Sequence, residues 1–132
     1  MPSSSVDRFV DACEENDIDT VSQLIEGGVD INGKKSRGNT GLMMAMNRNN
    51  IAIVRMLLAS ESVNLAMQDW PGNGRTALHW GCRGGSVESV RLFLAHPQCS
   101  KEIVRIKDNR GSTAEMVMVS PLLALWRSLP LA

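Results

Sequence analysis

Apolar residues recur at the same spacing in two short stretches of the chain. They lie at Ile51, Val54, Leu57 and Leu58 in the first stretch, and at Val87, Val90, Phe93 and Leu94 in the second. Steps of three residues that end in an apolar pair place these side chains on one face of a helix. Both stretches are therefore predicted to be amphipathic helices with one buried side.

A short motif precedes each of these helices at a fixed distance. Gly38-Asn39-Thr40-Gly41-Leu42 returns as Gly74-Arg75-Thr76-Ala77-Leu78, and a third copy begins at Gly111. The threonines of the first two copies stand 36 residues apart, and each stands 17 residues before its apolar pair. A fixed period in this range predicts stacked supersecondary units.

An earlier unit can be read back from the first threonine. Phe9 takes the place of Leu42, Leu24-Ile25 takes the place of the apolar pair, and residues 28–32 close the unit. Small residues follow each motif at Ala45 and Gly81, where they would let neighbouring helices approach closely. Each unit is predicted to be a helix, a turn, a second helix and a hairpin-like connection, and stacking supplies the core.

This pattern resembles the ankyrin repeat, which has a period of 33 residues and a T-P-L-H core. Thr76-Ala77-Leu78-His79 matches that core with Ala in place of Pro, whereas Met43 replaces the histidine in the preceding copy. The resemblance implies an all-α ankyrin-repeat solenoid that occupies residues 1–132 as a single domain. Its repeats would cover about 6–34, 35–70 and 71–107, followed by a partial capping repeat at 108–132.

The chain departs from the family pattern in its connections and at its C-terminal end. Because the 17-residue offset is kept while the period is longer, the extra residues are predicted to lie at Glu61–Asn73 and Pro97–Asn109. Glu115 and Pro121 weaken the last unit, which is expected to act as a cap. Its inward side is predicted to consist of Leu122, Leu123, Leu125 and Trp126.

Charge is divided unevenly between the two parts of the chain. The net charge is zero, with 14 basic and 14 acidic residues, but eight of the acidic residues and one basic residue fall within the first 33 positions. The remainder carries thirteen basic and six acidic residues. Such asymmetry concerns partners rather than fold.

The basic residues fall mainly where partners of the ankyrin family usually bind, at the hairpin tips and on the first helix of each unit. Two tryptophans lie among them, and Trp and Arg are enriched at interface hot spots. The predicted partner-binding residues are Arg37, Arg48, Trp70, Arg75, Trp80, Arg83 and Arg110. The alternative is that the charged side chains only solvate turns and that Trp80 packs between first helices.

Signatures of chemistry are not found. His79 and Cys82 are three residues apart, but zinc needs further ligands and the sequence has no CxxC or HxxxH pair. No nucleophile–base constellation, phosphate loop or interleaved aromatic platform for nucleic acid is present. We therefore expect no catalytic residues, metal site or cofactor, and no binding to nucleic acid.

The predicted function is that of a non-enzymatic adaptor or inhibitor-type module that binds an acidic or mixed-charge protein through its concave surface. The alternative is a targeting or regulatory fragment of a larger enzyme or channel. No apolar stretch has the length of a membrane span, the N-terminus does not resemble a signal peptide, and three cysteines do not form a disulfide framework. These features predict a protein of the cytoplasm or nucleus, without membrane association and monomeric rather than homo-oligomeric.

Overall fold

The computed structural model describes residues 4–118 and 122–128, apart from the side chains of Leu123 and Leu125. Its α-helices are α1 (Ser5–Glu14), α2 (Ile18–Glu26), α3 (Gly41–Asn47), α4 (Ile51–Leu58), α5 (Ala77–Arg83), α6 (Val87–Leu94), α7 (Lys101–Val104) and α8 (Leu122–Ser128), with a 3₁₀ turn at Glu115–Val117. The described residues contain no strand. The all-α fold class predicted from the sequence is therefore confirmed.

The helices begin where the sequence places capping residues. The hydroxyl of Thr40 accepts a hydrogen bond from the backbone N–H of Met43, and that of Thr76 accepts one from His79, each at 3.3 Å. Ser4, Asp17 and Ser100 cap other helices in the same way. These bonds satisfy donors that the first turn of a helix leaves without a partner.

The helices stack in two rows. The first helices α1, α3 and α5 pack side by side, the 3₁₀ turn continues this row, and α2, α4 and α6 form the second row. The first helices approach closely, because a Cβ added to Gly41 would lie 2.8 Å from both Cys13 Sγ and the ring of Phe9. This contact explains why glycine stands where the family pattern has proline.

Polar side chains connect successive units by hydrogen bonds. The side-chain amide of Asn50 donates to the carbonyl of Cys13 at 2.8 Å, and the hydroxyl of Ser89 donates to the side chain of Asn49 at 2.7 Å. Asn49 itself has a φ of 55°, which asparagine tolerates better than most residues. The helix–helix turns therefore both reverse the chain and hold neighbouring units together.

The extra residues of the longer periods lie in the connections. In the third unit they include α7, which Ser100 caps, and in the second they lie between the end of α4 and Thr76. A backbone hydrogen bond closes each connection, from the N–H of Lys35 to Asn39, from that of Asp69 to Arg75, or from that of Asp108 to Ser112. The connections are thus hairpin-like in their bonding.

The C-terminal unit departs from the helix pattern of the preceding units. The 3₁₀ turn replaces its first helix, and Glu115 and Met116 are exposed there. Leu122 and Trp126 are buried in the core, as expected for the inward side of a cap. The predicted inward positions of Leu123 and Leu125, and the predicted effect of Pro121, lie outside what the structure describes.

Candidate protein-binding face

Three connecting turns lie next to one another and form a continuous surface, which we call the tip row (residues 36–38, 70–74 and 109–111). A Cβ added to Gly72 would lie 2.6 Å from the carbonyl oxygen of Arg37, so the first two turns are in contact. The backbone N–H of Asn109 donates to the carbonyl of Asn73 at 2.8 Å, which joins the second turn to the third. Three of the predicted partner-binding residues, Arg37, Trp70 and Arg110, thereby share one surface.

Asp69 organises the central turn of this row. Its carboxylate is 1% exposed and accepts hydrogen bonds from the backbone N–H of Arg75 at 2.6 Å and from the indole Nε1 of Trp80 at 3.2 Å. Sequence reasoning missed this residue. The signal that could have found it is the recurrence of an aspartate before two of the three tips. Asp108 accepts the backbone N–H groups of Arg110 and Ser112 in the same manner.

Arg75 stacks on the adjacent α5 helix. Its guanidinium carbon lies 5.4 Å from the centre of the Trp80 ring, within the range of a cation–π contact. Its Nε atom is buried and has no hydrogen-bond partner. Burial, and then the positive charge of Arg83, lower the pKa of the Arg75 guanidinium. Arg75 and Trp80 therefore form a supported cluster at the base of the tip row, and their part in partner binding stays a prediction.

The acidic first unit neutralises the nearest basic residues. Asp11 forms an ion pair with Lys35 at 2.5 Å, and Glu14 forms one with Arg48 at 3.3 Å. The hydrogen bond that Lys35 donates to Asp11 is the main cause that raises the pKa of Lys35. Arg48 is exposed as predicted, but its charge is already matched within the molecule.

Three of the predicted partner-binding cations have no such match. Arg37, Arg83 and Arg110 are exposed, and no carboxylate within the described residues forms an ion pair with any of them. Arg83 ends α5, the helix that carries Trp80, and Arg110 lies on the turn that contacts Asn73. Unmatched positive charge thus lies on the tip row and the adjacent end of α5. Other exposed cations without an ion pair among the described residues, including Lys34, Lys101, Arg105 and Lys107, lie outside these positions.

Trp70 is partly exposed. Its side chain is 46% exposed, and its ring covers Gly74, where any added Cβ would clash with the indole. The bond between Trp70 and Pro71 is cis. An aromatic surface therefore stands between the turns that carry Arg37 and Arg110.

His79 and Cys82, the residues considered as metal ligands or nucleophiles, are both buried. His79 is 1% exposed and its Nε2 lies 2.8 Å from the carbonyl of Ser112, while burial raises the pKa of Cys82 to about 12. Across residues 4–118 and 122–128 no group of three or more His, Cys, Asp and Glu could hold a metal ion. No helix in the same part of the chain is both long enough and apolar enough to span a membrane.

A groove of about 650 Å³ lies at the C-terminal end of the stack. Apolar residues including Leu94, Met116 and Trp126 line it together with the basic residues Lys101 and Arg105. None of its lining residues belongs to the tip row, so it is a separate feature.

Comparison with known proteins gives a family and several partial relatives. A family model described as ankyrin repeats matches residues 9–108 in three copies. The probable E3 ubiquitin-protein ligase XBOS33 of Oryza sativa subsp. japonica is 38% identical over 84 residues, which are 64% of this chain and 16% of that protein. The E3 ubiquitin-protein ligase XBAT33 of Arabidopsis thaliana is 36% identical over 88 residues, 67% of this chain and 16% of the relative.

A third relative belongs to another class of enzyme. The palmitoyltransferase AKR1 of Lachancea kluyveri is 36% identical over 89 residues, 64% of this chain and 12% of that protein. The chain therefore spans less than a fifth of the length of each of these relatives.

Proposed function

Because the chain belongs to the ankyrin-repeat family, whose repeats are non-catalytic modules of protein–protein interaction, we propose that it binds an acidic or mixed-charge surface of a partner protein. The proposed binding face consists of the tip row and the exposed ends of the first helices. The chain would act there as an adaptor or inhibitor-type scaffold, without catalysis and without a cofactor.

One observation carries this proposal: exposed cations without an ion pair in the described part of the chain lie on the tip row and at the adjacent end of α5. Arg83 and Arg110 are exposed next to the Arg75–Trp80 cluster, whereas Arg55 and Arg91 on the second helices both pair with Glu88. Complementary charge steers association and selects partners more than it adds affinity. An acidic partner is therefore expected to approach from the tip row.

The test compares two charge reversals of equal size. Arg83→Glu/Arg110→Glu changes the proposed face, and Arg55→Glu/Arg91→Glu makes the same change in net charge on the second helices. Arg75 is left intact because its guanidinium supports Trp80, and a change there would confuse binding with folding.

Affinity capture from cell extract, quantified by mass spectrometry, would identify a partner that the unchanged chain and the control variant both recover. The association rate of the purified partner is then measured at several salt concentrations. We expect the Arg83→Glu/Arg110→Glu variant to associate several-fold more slowly and with a weaker dependence on salt. Equal rates for all three proteins would refute the assignment of the face.

A second candidate follows from the short coverage of the relatives. Each of them is named as an enzyme, and this chain resembles only 12–16% of its length. We propose as the alternative that the chain is the targeting or regulatory ankyrin segment of a larger enzyme. Sequencing the transcripts that encode it would test this, because an open reading frame that continues into a catalytic domain would favour the second candidate.

The remaining proposals concern the state and location of the protein. A monomer is proposed, and light scattering coupled to size-exclusion chromatography would measure its mass. Residence in the cytoplasm or nucleus is proposed as well, and a fluorescent fusion imaged in cells would test it.

A further inference from the structure

The central turn of the tip row is longer than its two counterparts. The closing hydrogen bonds, Lys35 to Asn39 and Asp108 to Ser112, each enclose three residues, whereas the bond from Asp69 to Arg75 encloses five. The two additional residues of this turn bring Trp70 and Pro71 to the surface. This extension is particular to one unit and is not a feature of the repeat.

Several contacts hold the extended turn in place. Asp69 accepts the N–H groups of Gly72 and Arg75 through its carbonyl and carboxylate, each at 2.6 Å. The side-chain amide of Gln68 donates to the carbonyl of Gly74 at 2.9 Å, and the Trp70 ring closes over that glycine. Because the indole is already ordered, a partner would lose little conformational entropy on binding to it.

The charged residues of the tip row itself have one sign. The tip row contains Arg37 and Arg110, which both lie on turns that touch the turn of Trp70, and it contains no aspartate or glutamate. An exposed aromatic surface between two unmatched cations complements an acidic segment that offers one apolar side chain. Aromatic and arginine side chains with this relation are typical of the centre of an interface.

We infer that Trp70 is the specificity-determining anchor of this face: it takes one aromatic or long aliphatic side chain from an acidic protein segment whose carboxylates lie against Arg37 and Arg110. The inference rests on the proposed function and extends it by naming the contact that selects the partner. Single-stranded nucleic acid is the competing occupant, because bases stack on tryptophan and phosphates pair with arginine. The tip row has only one aromatic residue, whereas such binding needs successive stacking surfaces, so the structure favours a peptide.

The experiment uses a displayed library of random 16-residue peptides as the probe, with the full chain as bait. Selections are run in parallel on the unchanged chain, Trp70→Ala, Trp70→Phe and Met116→Ala. Met116 is 68% exposed and lies outside the tip row, so its variant controls for the loss of any exposed apolar side chain. Thermal unfolding of each bait shows whether it is folded, and Trp70→Phe keeps an apolar ring if the alanine variant is unstable.

We expect peptides enriched by the unchanged chain to combine Asp or Glu with one aromatic or long aliphatic residue. Synthesised singly, they should bind Trp70→Ala about tenfold more weakly or worse, Trp70→Phe with a smaller loss, and Met116→Ala without change. Acidic peptides that lose binding in Arg83→Glu/Arg110→Glu but bind Trp70→Ala normally would overturn this inference and leave the proposed function standing.

Peptides that bind both of those variants normally would overturn the inference and the proposed function together. The absence of any peptide enriched over Trp70→Ala also counts against the anchor. An oligothymidylate of twenty nucleotides is tested in the same assay. Trp70-dependent binding of that oligonucleotide in place of acidic peptides would assign the face to nucleic acid.

Discussion

His79 is predicted to stabilise the chain by joining the third unit to the fourth. Its Nδ1 accepts the backbone N–H of Thr76 at 3.1 Å, so its Nε2–H donates to the carbonyl of Ser112 at 2.8 Å. The second unit has Met43 at the equivalent position, whose sulfur lies 3.4 Å from the N–H of Thr40. The variant His79→Met therefore places in the third unit a side chain that the same chain already tolerates in the second.

The expected cost follows from which partners are lost. Methionine can still approach the Thr76 N–H weakly through its sulfur, but it cannot donate to Ser112. That carbonyl keeps a second donor, the N–H of Asp108 at 2.9 Å, so it is not left without a partner. The variant loses the hydrogen bond to Ser112 and the one between Nδ1 and the Thr76 hydroxyl at 2.9 Å, and it weakens the one from the Thr76 N–H. In a site that is 1% exposed, this loss is worth about 1–2 kcal/mol of unfolding free energy.

Urea unfolding followed by circular dichroism measures this free energy, and a fall in the melting temperature of about 3–8 °C should accompany it. His96 provides the matched control, because its Nε2 also lies 2.8 Å from a carbonyl, that of Leu58, while its side chain is only half-buried. His96→Met should therefore cost less than His79→Met. Unchanged or increased stability of His79→Met would refute the assignment of a stabilising role to the imidazole.

Three further predictions concern a turn, the thiols and acid stability. Gly38→Ala should be more destabilising than Gly111→Ala, because a Cβ at Gly38 would clash with a neighbouring backbone, whereas Gly111 faces open space. Gly111→Ala should cost only about 1 kcal/mol for its left-handed φ, and equal melting temperatures of the two variants would contradict this. Iodoacetamide followed by mass spectrometry should modify the half-buried Cys99 before the buried Cys82, and the reverse order would count against the packing described. Burial opposes ionisation of Asp108, but backbone N–H donors and nearby positive charge outweigh it and lower its pKa below the unfolded value of 3.8. The stabilising effect of the Asp108 carboxylate is therefore present above about pH 4 and is lost as the pH falls through the folded pKa. Asp108→Asn should lose less stability on acidification than the unchanged chain does. Identical losses in urea titrations would exclude the effect.

The features that sequence reasoning predicted well are those set by local chemistry. Thr40 and Thr76 cap helices because a threonine hydroxyl before an apolar run can reach an early backbone N–H, and this depends on neighbouring residues alone. The apolar faces of α4 and α6 follow from their spacing in the same way, since Val54, Leu57, Val90 and Phe93 are buried. Repetition at one period then made the stacked arrangement predictable without any long-range information.

The features that escaped prediction depend on which turns come into contact. Asp69 gains its role only because the tip folds back to place Arg75 N–H and the Trp80 indole around one carboxylate. The matching of Arg48 by Glu14 likewise joins residues 34 positions apart, on two neighbouring units. A sequence pattern indicates that both residues face the same side, but it does not give the distance between them.

The distribution of charge has a different meaning once these pairs are known. The sequence suggests a basic groove with an acidic end, as if both signs were offered to a partner. In the structure, Asp11 and Glu14 pair with Lys35 and Arg48, so acidic residues of the first unit match the cations of the second. Exposed ion pairs of this kind add little stability, but they remove charge from the concave side near the N-terminus. Among the predicted partner-binding residues, the exposed cations without an ion pair in the described chain then lie on the tip row and at the end of α5, beside the one turn that is longer than its counterparts. Neither the charge nor the extension of this turn is needed for the stacking of the repeats. This independence from the fold is the argument for assigning both to recognition.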